Sequence, residues 1–204
     1  MAAQPNPPDS VIVWDKFVRV FHWSLVTGFA CAYLSAEFNV IDLHEIVGYG
    51  LIFLLLSRIV WGFIGSPYAR FASFLFPLRT TLNYVQSLRS GEPAHYLGHN
   101  PLGAIMVFTL LLGLGSLFIT GLITLAGIEF EGPLLLLANR LSDSQTYLIQ
   151  NTHEIISTVM LVLIFLHVAG AISASIQHKE NLILSMFTGR KRTQVNSANH
   201  TEEK

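Results

Sequence analysis

Eight histidines punctuate this apolar chain, and four of them have the spacing that metal ligands would need. His153 and His167 stand fourteen residues apart, the second inside an apolar stretch running from Ile155 to Gln177. Fourteen residues is close to four helical turns, about 1400° at ~100° per residue, so both imidazoles leave nearly the same face of a helix. At ~1.5 Å per residue they lie roughly 21 Å apart along its axis. A bilayer core is about 30 Å thick, which puts one imidazole near each side of a membrane. Imidazole is costly in hydrocarbon unless it faces the inside of a bundle and has a partner. A helix built in this way can supply one ligand to each of two metal centres stacked across the bilayer.

The elements that must position these groups are membrane spans. The chain has 204 residues, of which 51% are hydrophobic and 12% charged, about half the charge of an average soluble domain. Its mean hydropathy is +0.51. Four stretches, about 17–36, 46–65, 101–126 and 155–177, reach the ~20 residues that cross hydrocarbon as a helix. They predict an all-α bundle of four transmembrane helices, forming one domain over residues 14–192. A polar segment, 1–13, precedes that domain, and a disordered polar tail, 193–204, follows it. The first ten residues contain no basic residue and no cleavable apolar run, so the first span reads as a permanent helix. Between the second and third spans, apolar residues recur at helical spacing over Pro77–Leu88, which predicts a short helix on the membrane surface. The run of four leucines after Gly132-Pro133 is too short to span. Trp14, Trp23, Trp61, Tyr68 and Tyr96 fall near one boundary, as interfacial anchors do.

Basic residues set the orientation. Lys16, Arg19, Arg58, Arg70, Arg79, Arg89, Lys179, Arg190, Lys191, Arg192 and Lys204 lie at the termini, in the 66–100 loop or near the ends bordering them. The loops 37–45 and 127–154 hold Arg140 alone against Glu37, Asp42, Glu45, Glu129, Glu131, Asp143 and Glu154. Both termini and the 66–100 loop are therefore expected on the cytoplasmic side of the membrane. With that topology His22 and His167 share the inner level, and His44 and His153 the outer one. An internal echo supports the match: His44-Glu-Ile opens span two as His153-Glu-Ile opens span four, and Arg58 follows His44 by the same fourteen residues.

Two imidazoles on different helices suit axial ligation of haem, leaving no open position on iron, an arrangement for electron transfer. Zinc would want four ligands, and each level offers too few. Gly48, Gly170 and Ser157 supply small residues close to His44, His167 and His153. The single cysteine, Cys31, excludes an internal disulfide and a Cys-x-x-Cys-His attachment site, so any haem must be held non-covalently.

The stretches Trp14–Trp23, His44–Gly50, Arg58–Ser66, Gly98–Gly103 and Thr152–Arg192 resemble the bacterial cytochrome b561 family and the related b-type cytochrome subunits of nickel-iron hydrogenases. The resemblance implies a four-helix bundle with two haem b groups, exchange of electrons with a quinone pool, and a redox partner such as a hydrogenase, a dehydrogenase or a periplasmic cytochrome. Carried over by motif, His22 and His167 would ligate the inner haem, and His44 and His153 the outer one. Arg58, otherwise a snorkelling anchor, would form a charge-assisted bond to an inner haem propionate. His99, just before span three, is either a helix-entry residue or a partner for a propionate or quinone. For His95 the plainer reading is preferred, and His178 and His200 read as surface groups. Two other functions compete: a stand-alone oxidoreductase passing electrons from a small outer-face substrate such as superoxide to quinone, and a non-redox carrier using the histidines for protons or metal ions.

Overall fold

The computed structural model describes residues 10–91, 93–138 and 140–193. Four long helices dominate it, each long and apolar enough to cross a membrane. They are α1 (Lys16–Glu37), α2 (Ile41–Ile64), α4 (Pro101–Ile128) and α6 (Asp143–Gln177). Shorter helices α3 (Leu78–Arg89), α5 (Leu135–Ala138) and α7 (Leu182–Thr188) join them, and a 3-10 turn occupies Phe71–Phe74. Strands β1 (Ser10–Ile12) and β2 (Arg190–Arg192) form an antiparallel ribbon in which Val11 faces Lys191.

Side chains set where the helices begin. The Asp15 carboxylate accepts from the Val18 amide at 2.8 Å and caps α1. Asn100 does the same for the Gly103 amide at 2.7 Å, and Pro101 occupies the first helical position, where its missing N–H costs nothing. The first three spans fall where the apolar runs predict them. The fourth differs, because α6 starts at Asp143, twelve residues before its apolar run. Ser142 and Gln145 form a reciprocal capping box there, and neither glycine nor proline interrupts the polar turns that follow. At 35 residues α6 is about 52 Å long, so it projects well past a bilayer core. The outer loop that the sequence suggested over 127–154 is correspondingly short. The leucine run forms α5, packed against α4.

Two helix pairs make the bundle. α1 packs along α2 and α4 along α6, α2 meets α4, and α1 has almost no backbone contact with α6. Leu55, Leu114, Leu117 and Met160 are the buried centre, with Leu25, Phe29 and Ile156 against them. At Gly113 the helices approach so closely that a Cβ would sit 2.4 Å from Met160 Sδ.

The end of the bundle that holds the described termini is closed by a second cluster of Val13, Trp14, Val18 and Ala69, with Trp61, Tyr68, Leu97 and Met186 packed on it. This corrects the expectation of a lipid-interface anchor for Trp14. Trp14 is only 7% exposed and donates to Ser185 Oγ at 3.3 Å. Trp61 donates to Asp15 Oδ2 at 3.0 Å, and Trp23 to the Met186 carbonyl at 3.4 Å. Apolar composition at a boundary looks the same whether the rings meet lipid or one another. Lys191 is likewise no free surface cation: it is 6% exposed, donates to the Tyr96 carbonyl at 3.1 Å and lies 3.7 Å from Glu180. Burial pushes its amine down from the ordinary lysine range, and Glu180 partly opposes that shift. The proposed disordered tail falls outside the described residues, apart from Thr193.

Candidate functional site

The four histidines singled out by spacing meet in two pairs. At the far end of the bundle, away from the described termini, the rings of His44 and His153 are 6.1 Å apart and nearly perpendicular, at 83°. At the terminal end the rings of His22 and His167 are 6.4 Å apart, tilted by 52°. A bond from a metal to an imidazole nitrogen is ~2 Å, so two rings on opposite sides of one ion have centres about 6 Å apart. Both separations suit that arrangement. One continuous helix, α6, carries a member of each pair, which keeps the roughly 21 Å axial spacing fixed.

Hydrogen bonding sets the form of the far-end rings. His44 Nδ1 lies 2.8 Å from the Ala32 carbonyl. His153 Nδ1 lies 3.0 Å from the Leu117 carbonyl and 3.0 Å from Thr120 Oγ1. A carbonyl can only accept, so the hydrogen belongs on Nδ1 in both rings and the lone pair on Nε2. That is the tautomer a metal requires, oriented by a second layer of contacts. Gly121 faces His153, where a Cβ would come within 3.1 Å of Cε1, so a glycine lets α4 carry its carbonyls close to the ring. The terminal-end pair lacks this support. His22 Nδ1 is buried with no hydrogen-bond partner among the described residues, and Trp23 meets the ring edge-on at 5.1 Å.

Arg58 does not snorkel. It is 4% exposed, donates from Nη2 to the Ala69 carbonyl at 3.0 Å and lies over the Phe71 ring at 4.9 Å. Its Nη1 is buried without a partner among the described residues, an arrangement that suits an anion supplied from outside the chain. His99 belongs to the same region. Its ring packs against Trp14 at 4.8 Å and Phe74 at 4.5 Å, and its Nδ1 is also buried and unpaired among the described residues. Burial pushes the His99 pKa down to about 3, assisted by the charges of Arg58, Lys191 and His167. His99 is therefore neutral at physiological pH. Arg58 and His167 thus both lie within electrostatic reach of His99. His95 lies elsewhere, 3.5 Å from Glu180 and beside His178, in the knot around Lys191. His200 lies outside the described residues.

Among the described residues no three or more His, Cys, Asp or Glu side chains surround a common point. Each level offers two imidazoles, a donor set for a metal that brings its own equatorial ligands. A Cβ added at Gly48, one turn from His44, or at Gly170, three residues from His167, would meet nothing within 4 Å. Both positions leave open space beside a ligand candidate, as a flat macrocycle would need.

Residues 13–189, nearly the whole described chain, match the prokaryotic cytochrome b561 family. The chain belongs to that family. It is a membrane b-type cytochrome, and its fold is an all-α membrane bundle with four candidate spans. The family implies haem b, and the paired imidazoles and open glycines fit such a group. Curated relatives carry the name "Probable Ni/Fe-hydrogenase B-type cytochrome subunit". The one from Rhodobacter capsulatus is 24% identical over 89% of this chain and 81% of its own length. That from Rhizobium leguminosarum is 26% identical over 89% of each chain. The Bradyrhizobium diazoefficiens relative is 23% identical over 89% of this chain and 86% of its own. No solved structure matches the cytochrome.

Several contacts of this cytochrome are invisible to sequence reasoning. The partners of His44 and His153 are backbone carbonyls, which carry no residue signature. Asp15 could have been found as an N-cap, but its bonds to Ser66 and Trp61, about fifty residues away, could not.

Proposed function

We propose that the cytochrome carries electrons across the bacterial inner membrane through two bis-histidine haem b groups. His22 and His167 would hold one, and His44 and His153 the other. The observation that carries the reading is the meeting of the four histidines in two pairs, 6.4 and 6.1 Å between ring centres, on helices that share α6. Haem iron, when bound, supplies reversible one-electron chemistry. The chain's own residues do the rest. Nδ1 bonds from His44 and His153 keep Nε2 free for iron. Arg58 offers Nη1 to a propionate of the terminal-end haem, with neutral His99 beside it as a second polar partner. The apolar faces of the spans keep water away from the route.

The orientation follows the basic residues, with both termini and the 66–100 loop in the cytoplasm. The far-end pair then faces the periplasm, at the same end of the bundle as Glu37, Asp42, Glu45, Glu129, Glu131, Asp143 and Glu154. A redox partner docks at that face, and the names of the relatives favour a nickel-iron hydrogenase. Quinone is the other terminus of the route, and electrons pass between it and the periplasmic partner in either direction.

The test is the dithionite-reduced minus oxidised spectrum of the purified protein, with pyridine haemochrome quantitation of haem per chain. Two low-spin b-type haems per chain are expected. One haem per chain removes one of the pairs. A colourless protein from haem-replete cells ends the reading and returns the histidines to a proton or metal carrier.

A further inference from the structure

His22 and His167 face each other although their helices scarcely touch. α1 packs along α2 and α6 along α4. No carbonyl orients His22 as carbonyls orient the far-end rings, since its Nδ1 has no partner among the described residues. Something other than direct helix packing must therefore set the distance between these two imidazoles.

The segment following α6 supplies that link. It turns back at the end of the bundle and lays α7 across the first turns of α1. Trp23 Nε1 donates to the Met186 carbonyl at 3.4 Å, and the Trp23 ring stacks on Phe187 at 4.2 Å and 23°. The Arg19 guanidinium donates to the Phe187 carbonyl. The Trp14 indole donates to Ser185 Oγ, and the Val13 and Trp14 amides both donate to the Gly189 carbonyl, at 2.8 and 3.1 Å. The β1–β2 ribbon extends the same seam. Trp23 is the residue next to His22 in sequence and meets its ring edge-on.

We propose that residues 181–192 form a clamp that positions His22 against His167, with Trp23 as the positioning residue and Gly189 as the pivot. The proposal rests on the assignment of this pair to a haem. Gly189 ends α7 in the left-handed region, at φ +80°, which glycine adopts without steric cost. A Cβ there would lie 2.5 Å from the Trp14 carbonyl oxygen and 3.2 Å from Arg19 Nε. The first of these is backbone, so no rotamer change relieves it. The clamp must open, and α1 must move with it. The far-end pair has no such dependence, because its contacts lie within α1–α2 and α4–α6.

The test compares the full-length haem-loaded protein with Trp23→Ala, Gly189→Ala and Trp23→Phe, reading haem per chain, the low-spin ferric EPR signals and the separate midpoint potentials. A His167→Ala protein assigns the terminal-end signal. Trp23→Ala and Gly189→Ala are expected to shift or abolish the terminal-end signal and leave the far-end signal and potential unchanged. Trp23→Phe keeps a ring on Phe187 and gives up only the indole bond, so its terminal-end signal should stay close to wild type. Unchanged signals in both disruptive variants would overturn the clamp, as would loss of both haems together in each. A wild-type chain with no haem on this pair removes the assignment beneath the proposal, and that result is visible before any variant is compared.

Discussion

The two histidine pairs are alike in spacing and unlike in support. At the far end, His44 and His153 are each tied through Nδ1 to a main-chain carbonyl of a packed helix, so their orientation follows from secondary structure. At the terminal end, His22 Nδ1 has no partner among the described residues, and the surroundings are charged and aromatic: Arg58, His99, Trp14, Phe74 and the clamp built on α7. A ring fixed by helix carbonyls tolerates change elsewhere in the chain. A ring fixed by distant loops does not. The terminal-end site is therefore the more adjustable of the two, with more residues able to tune it.

Removing a ligand tests the comparison most severely. His167→Ala should empty the terminal-end site and leave the far-end haem, halving the haem per chain, while His153→Ala should do the reverse. Pyridine haemochrome quantitation separates these cases. If both substitutions removed the same haem, or if either removed both, the two-pair arrangement would fail.

Charge comes next. Arg58 has one guanidinium nitrogen bound to Ala69 and one unpaired among the described residues, and its charge favours an anion beside it. Reduction adds negative charge to a haem, so losing the cation disfavours the reduced state and lowers the terminal-end potential. A charge-assisted hydrogen bond is worth roughly 1.5–3 kcal/mol, or about 65–130 mV for a one-electron couple. Arg58→Gln is expected to lower that potential by no more than this, since the bond exists in both oxidation states, and to leave the far-end potential nearly unmoved, as read by redox titration. An equal fall at both haems would mean that Arg58 acts through the fold.

The sequence exposed one kind of information well and another poorly. Apolar length located α1, α2 and α4, because hydrocarbon demands ~20 apolar residues whatever else the chain does. The fourteen-residue interval linked His153 to His167, and its repetition in His44 and Arg58 placed the arginine at the terminal end. Counting apolar residues missed the start of α6, where the Ser142–Gln145 box drives a polar helix beyond any membrane requirement. It also missed the β1–β2 ribbon, whose strands are three residues each and nearly the whole chain apart. Neither periodicity nor composition reports a contact between Trp14 and Ser185, 171 positions away.

Stability offers a smaller, one-sided test at the terminal end. Burial alone would push the Asp15 carboxyl up, but bonds from Ser66, the Val18 amide and Trp61 outweigh it and hold the group below its ordinary value. A depressed folded-state pKa contributes stability above the unfolded value, and that contribution is lost as pH falls through the folded one. Asp15→Asn keeps an oxygen for the helix cap but loses the carboxylate charge that receives the Ser66 and Trp61 bonds, so it should lower the apparent melting temperature at neutral pH. The gap from wild type should close in acid. Thermal melts in detergent at several pH values measure it. A constant gap at every pH would show that the carboxylate charge contributes nothing.

The smallest effect belongs to Thr120, at the far end. Its single hydroxyl hydrogen is directed to the Ser116 carbonyl at 2.8 Å, which leaves Oγ1 to accept from His153 Nδ1 at 3.0 Å beside the Leu117 carbonyl. Two acceptors on one N–H push electron density toward Nε2 and make the imidazole a stronger donor, which favours ferric iron. Thr120→Val removes one acceptor and keeps the other, so the ring stays oriented and the haem stays bound. The far-end potential should rise by at most roughly 20–45 mV, the equivalent of about 0.5–1 kcal/mol for one whole neutral hydrogen bond. The terminal-end potential should not move. A loss of far-end haem in this variant would mean that the Leu117 carbonyl cannot hold His153 alone. The contrast between a site fixed by helix backbone and one fixed by side chains and loops would then have to be abandoned.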